Sequence, residues 1–434
     1  MPAPDGPPRD LDAIVLGGGP AGAAAAIRLA GLGRRVLLVE RDRFPRFHVG
    51  ESLLPTTNAA FATLGVAEEV RAAGFPAKWG ASFLTHDGAF QRYADFSASG
   101  EIPEPQTWQV ERAALDEILL RRAGAVGVDV RAGQRVLACD FSGGGVEVTF
   151  RDEEEALHRA RAAAVVDASG RAGLLARQLG LRRVDPRLAN ISVYAHFRGV
   201  PPLEGRRAGD IRIVARADAG WFWVIPLREG ITSVGVVLPK PLFERLPRGS
   251  HEGMLAHAMA GTPAMAELMR EAALARPARV EKEFSYAASA YAGDRFLLAG
   301  DAGSFLDPVF SSGVAIALDS GIEAAEALDR ALARGEIGRA AFAAFERRQR
   351  ARYEAFRRFV LAFYTASFRD LFFQPGASPW IFAAVVTVLG GRWRPRLPNR
   401  LWIALFFLLA RLQRRVELVP RIYPRERSDD ALLA

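Results

Sequence analysis

The chain has 434 residues, half of them hydrophobic, which is enough for two or three units sharing a large core. Its single cysteine, Cys139, excludes an internal disulfide, and the opening MPAPDGPPRDLDAIVLGGG lacks the charged start, apolar run and cleavage site of a signal peptide. A reducing cytoplasm is the expected location. The net charge of +8 is carried by arginine, since only Lys78, Lys240 and Lys282 among 57 basic residues are lysine. No basic tract is interleaved with aromatics and the six histidines lack metal-ligand spacing, so neither a nucleic-acid partner nor a metal is expected.

The stretch DAIVLGGGPAGAAAAIRLAGLGRRVLLVERD reads as an apolar strand, a glycine turn, an alanine-rich helix and a second strand ending at Glu40. Such a unit opens a dinucleotide fold. Gly17 permits the tight turn, Gly19 lets the backbone approach a pyrophosphate, and Gly22 allows close helix packing. Ala21 lies in the same phosphate-facing helix start. The acid about 20 residues on, Glu40, can accept bonds from a ribose.

Next come the loop FPRFHVGESLLP, in which His48 and Glu51 could assist proton transfer or serve structure, and the segment GFPAKWGASF with the rare Lys78. An amine there can lose a proton and react, where a guanidinium stays protonated; chance survival of a surface lysine is the plain alternative. A helical segment VERAALDEILLRRA follows, with Arg112 near its start. Two strands flanking SGGG and then AAAVVDASGRAG suggest a three-stranded meander ending at Asp167 and Gly170.

In WFWVIP, Trp221 and Trp223 face one side of a strand, as core residues would, and LREGITSVGVV continues it as a hairpin. Further on, DRFLLAGDAGSFLDPVFSSGVAIALDSG runs from a buried-type strand at Phe296 to Ala299 through Gly300 and Asp301 into a long helix starting near Val314. Ser311 or Ser312 suits its N-cap, and the amides of Ser312 and Gly313 at a helix start suit an anion. The last ninety residues read as aromatic-rich helices. Their apolar runs, Ile381 to Leu389 and Leu401 to Ala410, fall short of the about 20 residues that span a bilayer. Flanking arginines at 392, 394, 396, 400, 411, 414 and 415 leave a peripheral membrane contact open.

From about residue 10 to 345 the chain resembles the flavoprotein monooxygenase superfamily and, within it, the flavin-dependent halogenases. WFWVIP matches their WxWxIP signature, while Phe305, Pro308, Ser311 and Gly313 match FxxPxxSxG. FPRFHVGESLLP is similar to the corresponding loop of halogenases acting on phenols or carrier-bound pyrroles. The resemblance implies an α/β chain: a Rossmann-like FAD-binding domain at 10–78, 106–180 and 286–345, an antiparallel-sheet substrate domain at 79–105 and 181–285, and a helical C-terminal region at 346–434.

The resemblance also implies site roles. FAD would be held by Gly17, Gly19, Ala21, Gly22, Glu40, Arg112, Asp301, on its ribityl chain, and Gly313. Chloride or bromide would sit at Ser312 and Gly313. Trp221, Trp223, Ile225 and Pro226 would separate flavin from substrate, and Lys78 would guide hypohalous acid to an aromatic carbon. Where tryptophan halogenases carry a glutamate this chain has Phe310, so a phenol or pyrrole is expected rather than free tryptophan. A flavin reductase and an acidic carrier protein are the implied partners. A hydroxylase or geranylgeranyl-reductase-like enzyme, turning over without halide, is the alternative.

Overall fold

A computed structural model describes residues 11–374 and 378–423. The first sheet runs Ala292–Gly293, Phe296–Leu298, Leu157–Asp167, Leu11–Leu16, Val36–Glu40 and Asp129–Ala132, parallel apart from its first strand. Arg135–Asp140 and Val146–Arg151 extend Leu157–Asp167 as an antiparallel meander. Val36–Glu40 is buried throughout and Leu11–Leu16 over its last four residues, so both read as apolar runs rather than alternating strands.

The helix Pro20–Gly31 packs against the long helix Gly313–Arg334. Small residues set their distance: a Cβ on Gly321 would stand 2.2 Å from the Ala21 carbonyl oxygen. Gly22 is equally constrained, because its Cβ would lie 1.8 Å from the Gly17 oxygen. Gly17 itself has φ +99° and would drive a Cβ into the Ala168 carbonyl at 2.5 Å.

The second sheet runs Ser304–Phe305, Ala273–Ala288, Arg182–Arg198, Thr232–Pro239, Trp221–Pro226, Ile211–Ala215, Gly80–Leu84 and Gln91–Asp95. It is covered on both sides, and strand alternation decides which residue goes where. Phe222 and Val224 join a core with Leu255, Ala258 and Met265 from short helices on one face. Trp221, Trp223 and Ile225 join the other, built with the helices Ala343–Phe363, Ala366–Phe373, Pro379–Leu389 and Leu397–Gln413. Gly235 makes room there: a Cβ on it would meet the Trp223 ring at 2.3 Å.

Between the sheets, Ala77–Lys78 pairs with Thr107–Trp108, and Ser52 bridges to Gln109. Three segments remote in sequence are thereby stacked side by side. Asp210 fixes the residues that follow Lys78, accepting from the amides of Trp79 at 2.6 Å and Gly80 at 3.0 Å.

Candidate active site

A cavity of about 750 Å³ opens between the two sheets. Its walls include Gly17, Gly19, Ala21, Glu40, Arg112, Asp301 and Gly313 from the first unit, and Trp221, Trp223 and Ile225 from the second. Sequence reasoning placed these together from segments almost 300 residues apart. Gly22 lies behind the turn it supports, and Pro226 stands outside the cavity wall.

The glycine turn leaves a cradle. A Cβ on Gly19 would find only the Arg46 guanidinium nearby, at 3.5 Å, so the backbone faces open space beside a cation. Glu40 holds the turn: it accepts from the Gly18 amide at 2.6 Å and the Asp42 amide at 2.8 Å. Arg112 forks onto Asp116 through two 2.8 Å bonds and donates to the Val49 carbonyl at 3.0 Å, pinning the loop that carries Glu51 and Ser52. The Asp301 backbone carbonyl accepts from the Tyr286 hydroxyl at 2.7 Å, while its carboxylate accepts no hydrogen bond from the described residues, and desolvation lifts that carboxyl to about 6 against the pull of Arg171 and Arg112. A half-buried carboxylate facing a cavity without a donor invites a polyol. Cradle, cation and free carboxylate together fit a long dinucleotide with a sugar-alcohol chain, as FAD is.

Lys78 lies just beyond this cavity. Its amine is 1% exposed and donates to Ser52 Oγ at 2.8 Å and the Leu53 carbonyl at 2.7 Å. Burial pushes it down to about 7, opposed by the charge of Asp210. It faces a space only large enough for a water molecule, lined by Leu54, Phe83, Phe96, Phe310 and Leu389. Ser311 lines both this space and the large cavity, and Ser52 also reaches the large cavity. Two hydroxyl-bearing residues therefore form the partition. Ser311 has φ +55°, which turns the chain into the helix at Gly313.

The long helix takes its N-cap from Ser312, one of the two serines expected there. Ser312 occupies the N-cap position and is buried, yet its hydroxyl caps no amide, because its backbone is αR rather than extended. Upstream, Asp307 caps the short turn Pro308–Phe310, accepting from the Val309 amide at 3.2 Å. The same carboxylate takes bonds from Asn190 at 2.7 Å and Tyr364 at 2.7 Å, and the Tyr364 hydroxyl in turn accepts from the Trp221 indole at 2.8 Å. Arg46, Ser52, Asp307 and Tyr364 were not singled out from sequence. Only Ser52 carried a signal, as the neighbour of Glu51 in a loop already marked. Glu51 itself sits 3.1 Å from a ring nitrogen of buried His196, with its second oxygen unpartnered.

Residues 12–104 and 97–373 match the tryptophan halogenase family. The chain belongs to this family of flavin-dependent halogenases. It is 35% identical over 342 residues to a flavin-dependent halogenase of Armillaria mellea, covering 74% of this chain and 68% of that protein. It is 32% identical over 360 residues to a 1H-pyrrole-2-carbonyl-[peptidyl-carrier protein] chlorinase of Pseudomonas fluorescens, covering 78% and 80%. Among solved structures, the myxobacterial chondrochloren halogenase, an FAD-dependent variant, superposes with a TM-score of 0.78 at 33% identity, over 96% of this chain and 99% of that one. This halogenase is accordingly a flavin-dependent oxidoreductase with FAD as its cofactor. No helix among its described residues is long and apolar enough to cross a membrane.

Proposed function

We propose that this halogenase uses reduced FAD, O2 and chloride or bromide to halogenate an electron-rich phenol or pyrrole, free or tethered to a carrier protein. The observation that carries the reading is the buried amine of Lys78, one serine away from a cavity suited to FAD. When bound and reduced, the flavin supplies the activation of O2 that turns halide into hypohalous acid.

The protein's part is binding, partition and delivery. Gly17, Gly19 and Ala21 with Arg46 hold the pyrophosphate, Glu40 the adenosine ribose and Asp301 the ribityl chain. Arg112 acts on the cofactor mainly by fixing the loop above it. The helix start at Ser312 and Gly313 offers amides to the halide. Trp221, Trp223 and Ile225 wall off the organic substrate, and Tyr364 keeps the Trp221 ring in place.

Lys78 then receives the oxidant. As ammonium it has one N–H left after its bonds to Ser52 and Leu53, and that hydrogen can hold the hypohalous oxygen. As neutral amine its lone pair is free to take the halogen from the hypohalous acid, one amine proton leaving with the hydroxide as water; the haloamine then passes the halogen to the ring, and the ring proton returns to the nitrogen to regenerate the amine. A group poised near 7 serves either route. The rings of Phe83, Phe96 and Phe310 around the amine are apolar and carry no charge to hold an amino acid; the present space admits only a water, so these rings must part for an aromatic substrate to reach the amine. A flavin reductase and a carrier protein are the partners in this reading.

The test is incubation with FAD, a reductase, NADH and bromide across a panel of phenols and pyrroles, read by mass spectrometry. Brominated product that needs bromide is expected. Oxygenated or reduced product formed equally without halide would give the site to a hydroxylase or reductase.

A further inference from the structure

The last helix, Leu397–Gln413, turns its apolar residues the wrong way for a surface helix. Ile403, Phe406, Phe407, Ala410 and Gln413 face the core, as amphipathic packing requires. The opposite side should be polar. Instead it carries Leu397, Leu401, Leu405, Leu408 and Leu412, exposed by 64, 63, 36, 51 and 42%. Positions four, four, three and four apart form one stripe along the helix. The apolar surface continues past the helix at Val416 and Leu418, and Trp380 on the neighbouring helix is 69% exposed. Eight of the fourteen large exposed hydrophobics among the described residues fall between 380 and 418, so this is a patch and not the usual scatter.

The charge on this face decides what covers it. Arg400, Arg411 and Arg415 share the exposed side with the leucines, and none of the three forms an ion pair with a described residue. No acidic residue occurs from Leu397 to Val416. Pairing with a second copy in either direction would set arginine against arginine over the whole length. A water-soluble protein partner would need hydrogen-bonding groups, since interfaces carry about one bond per 100–200 Å². Along the helix, aside from the arginines, the exposed stripe is leucine; the one acid bordering it, Glu417 beyond the helix, is paired with Arg421. Leucines between basic ends match a layer of acyl chains beneath anionic headgroups.

We infer that the outer face of Leu397–Gln413 seats the protein on an anionic lipid surface, leucines in the acyl boundary and arginines on the phosphates. The contact is peripheral, for the helix's inner face stays packed in the protein. It is independent of the halogenation reading, so either can fail alone.

The experiment uses the full-length holoprotein and sedimenting vesicles of phosphatidylcholine with or without phosphatidylglycerol. Binding should appear with phosphatidylglycerol and drop several-fold without it or in high salt. The double variant Leu401→Asp, Leu408→Asp should lose at least tenfold in vesicle binding while keeping its melting temperature and bound FAD, both positions being exposed. Arg400→Gln with Arg411→Gln and Arg415→Gln should lose the salt-sensitive part only. A wild-type protein that stays in the supernatant, or a Leu401→Asp, Leu408→Asp variant that pellets like wild type, overturns the inference. So does a dimer, or a complex with an acidic carrier protein, that the double variant dissolves without any vesicle binding.

Discussion

Ser52 joins the large cavity to Lys78: its hydroxyl accepts a 2.8 Å bond from the lysine amine while the residue also lines that cavity. The amine is thus held at a partition between the large cavity and the small space beside it. That geometry makes four outcomes specific.

Lys78→Met keeps the length and removes the amine, and Lys78→Arg keeps the charge without a transferable lone pair. Both should bind FAD, consume O2 through reduced flavin and release hypohalous acid, yet lose organic halogenation on the order of a thousandfold or more, because the missing contact acts only at transfer. Lys78→Met guards against the failure of a larger guanidinium to fit so small a space. Near-wild-type halogenation by a folded Lys78→Arg protein would refute the assignment.

Lys78 and Asp301 also mark the stability of the apoprotein. The Lys78 amine titrates near 7 when folded and near its ordinary 10.5 when unfolded, so between those values the unfolded chain binds more protons. Stability should rise with pH across that window, and Lys78→Met should flatten the rise. Asp301 works in the opposite sense: between 3.8 and about 6 the folded state binds more protons, so its cost grows as pH rises and is complete above 6. Asp301→Asn apoprotein should therefore melt above wild type at pH 7.5, with the gap closing toward pH 4, while its FAD affinity falls. Melting curves across pH check both signs, and a gap that widened on acidification would contradict the assigned burial of Asp301.

Gly19 and Gly22 are three residues apart and should behave differently. A side chain at Gly19 enters open space, so Gly19→Val should fold with little change in melting temperature and lose FAD. A side chain at Gly22 strikes the Gly17 carbonyl, so Gly22→Ala should lower stability by about 1–3 kcal/mol or more before any cofactor is considered. Flavin titration beside thermal unfolding separates the two. Unchanged FAD affinity in folded Gly19→Val would undo the cradle.

Bromide diffused into crystals of the FAD complex should give an anomalous peak beside the amides of Ser312 and Gly313. Gly313 has nothing within 4 Å of its absent Cβ, so Gly313→Ala should fold normally and weaken halide binding by partial filling of the site. A halide peak elsewhere, with none at this helix start, would remove the assignment.

The amino-acid sequence by itself determined the dinucleotide unit, because Gly17, Gly22 and Glu40 act within one strand–helix–strand unit of consecutive chain. It determined the inward side of Trp221 and Trp223 through strand alternation, and it singled out Lys78 by composition. It placed the N-cap of the long helix at Ser311 or Ser312, and the cap is Ser312, but that its hydroxyl bonds no amide depends on an αR backbone angle that no residue type dictates. Tertiary structure alone decided the rest. Ser52 meets Lys78 across 26 residues, and Trp221 reaches Tyr364 across 143, because separate ladders and helices happen to bring them to bonding distance. Which side of Leu397–Gln413 faces water was equally open in a helix apolar on most of its circumference. Packing of Phe406 and Phe407 into the core chose the face, and left the leucines outside.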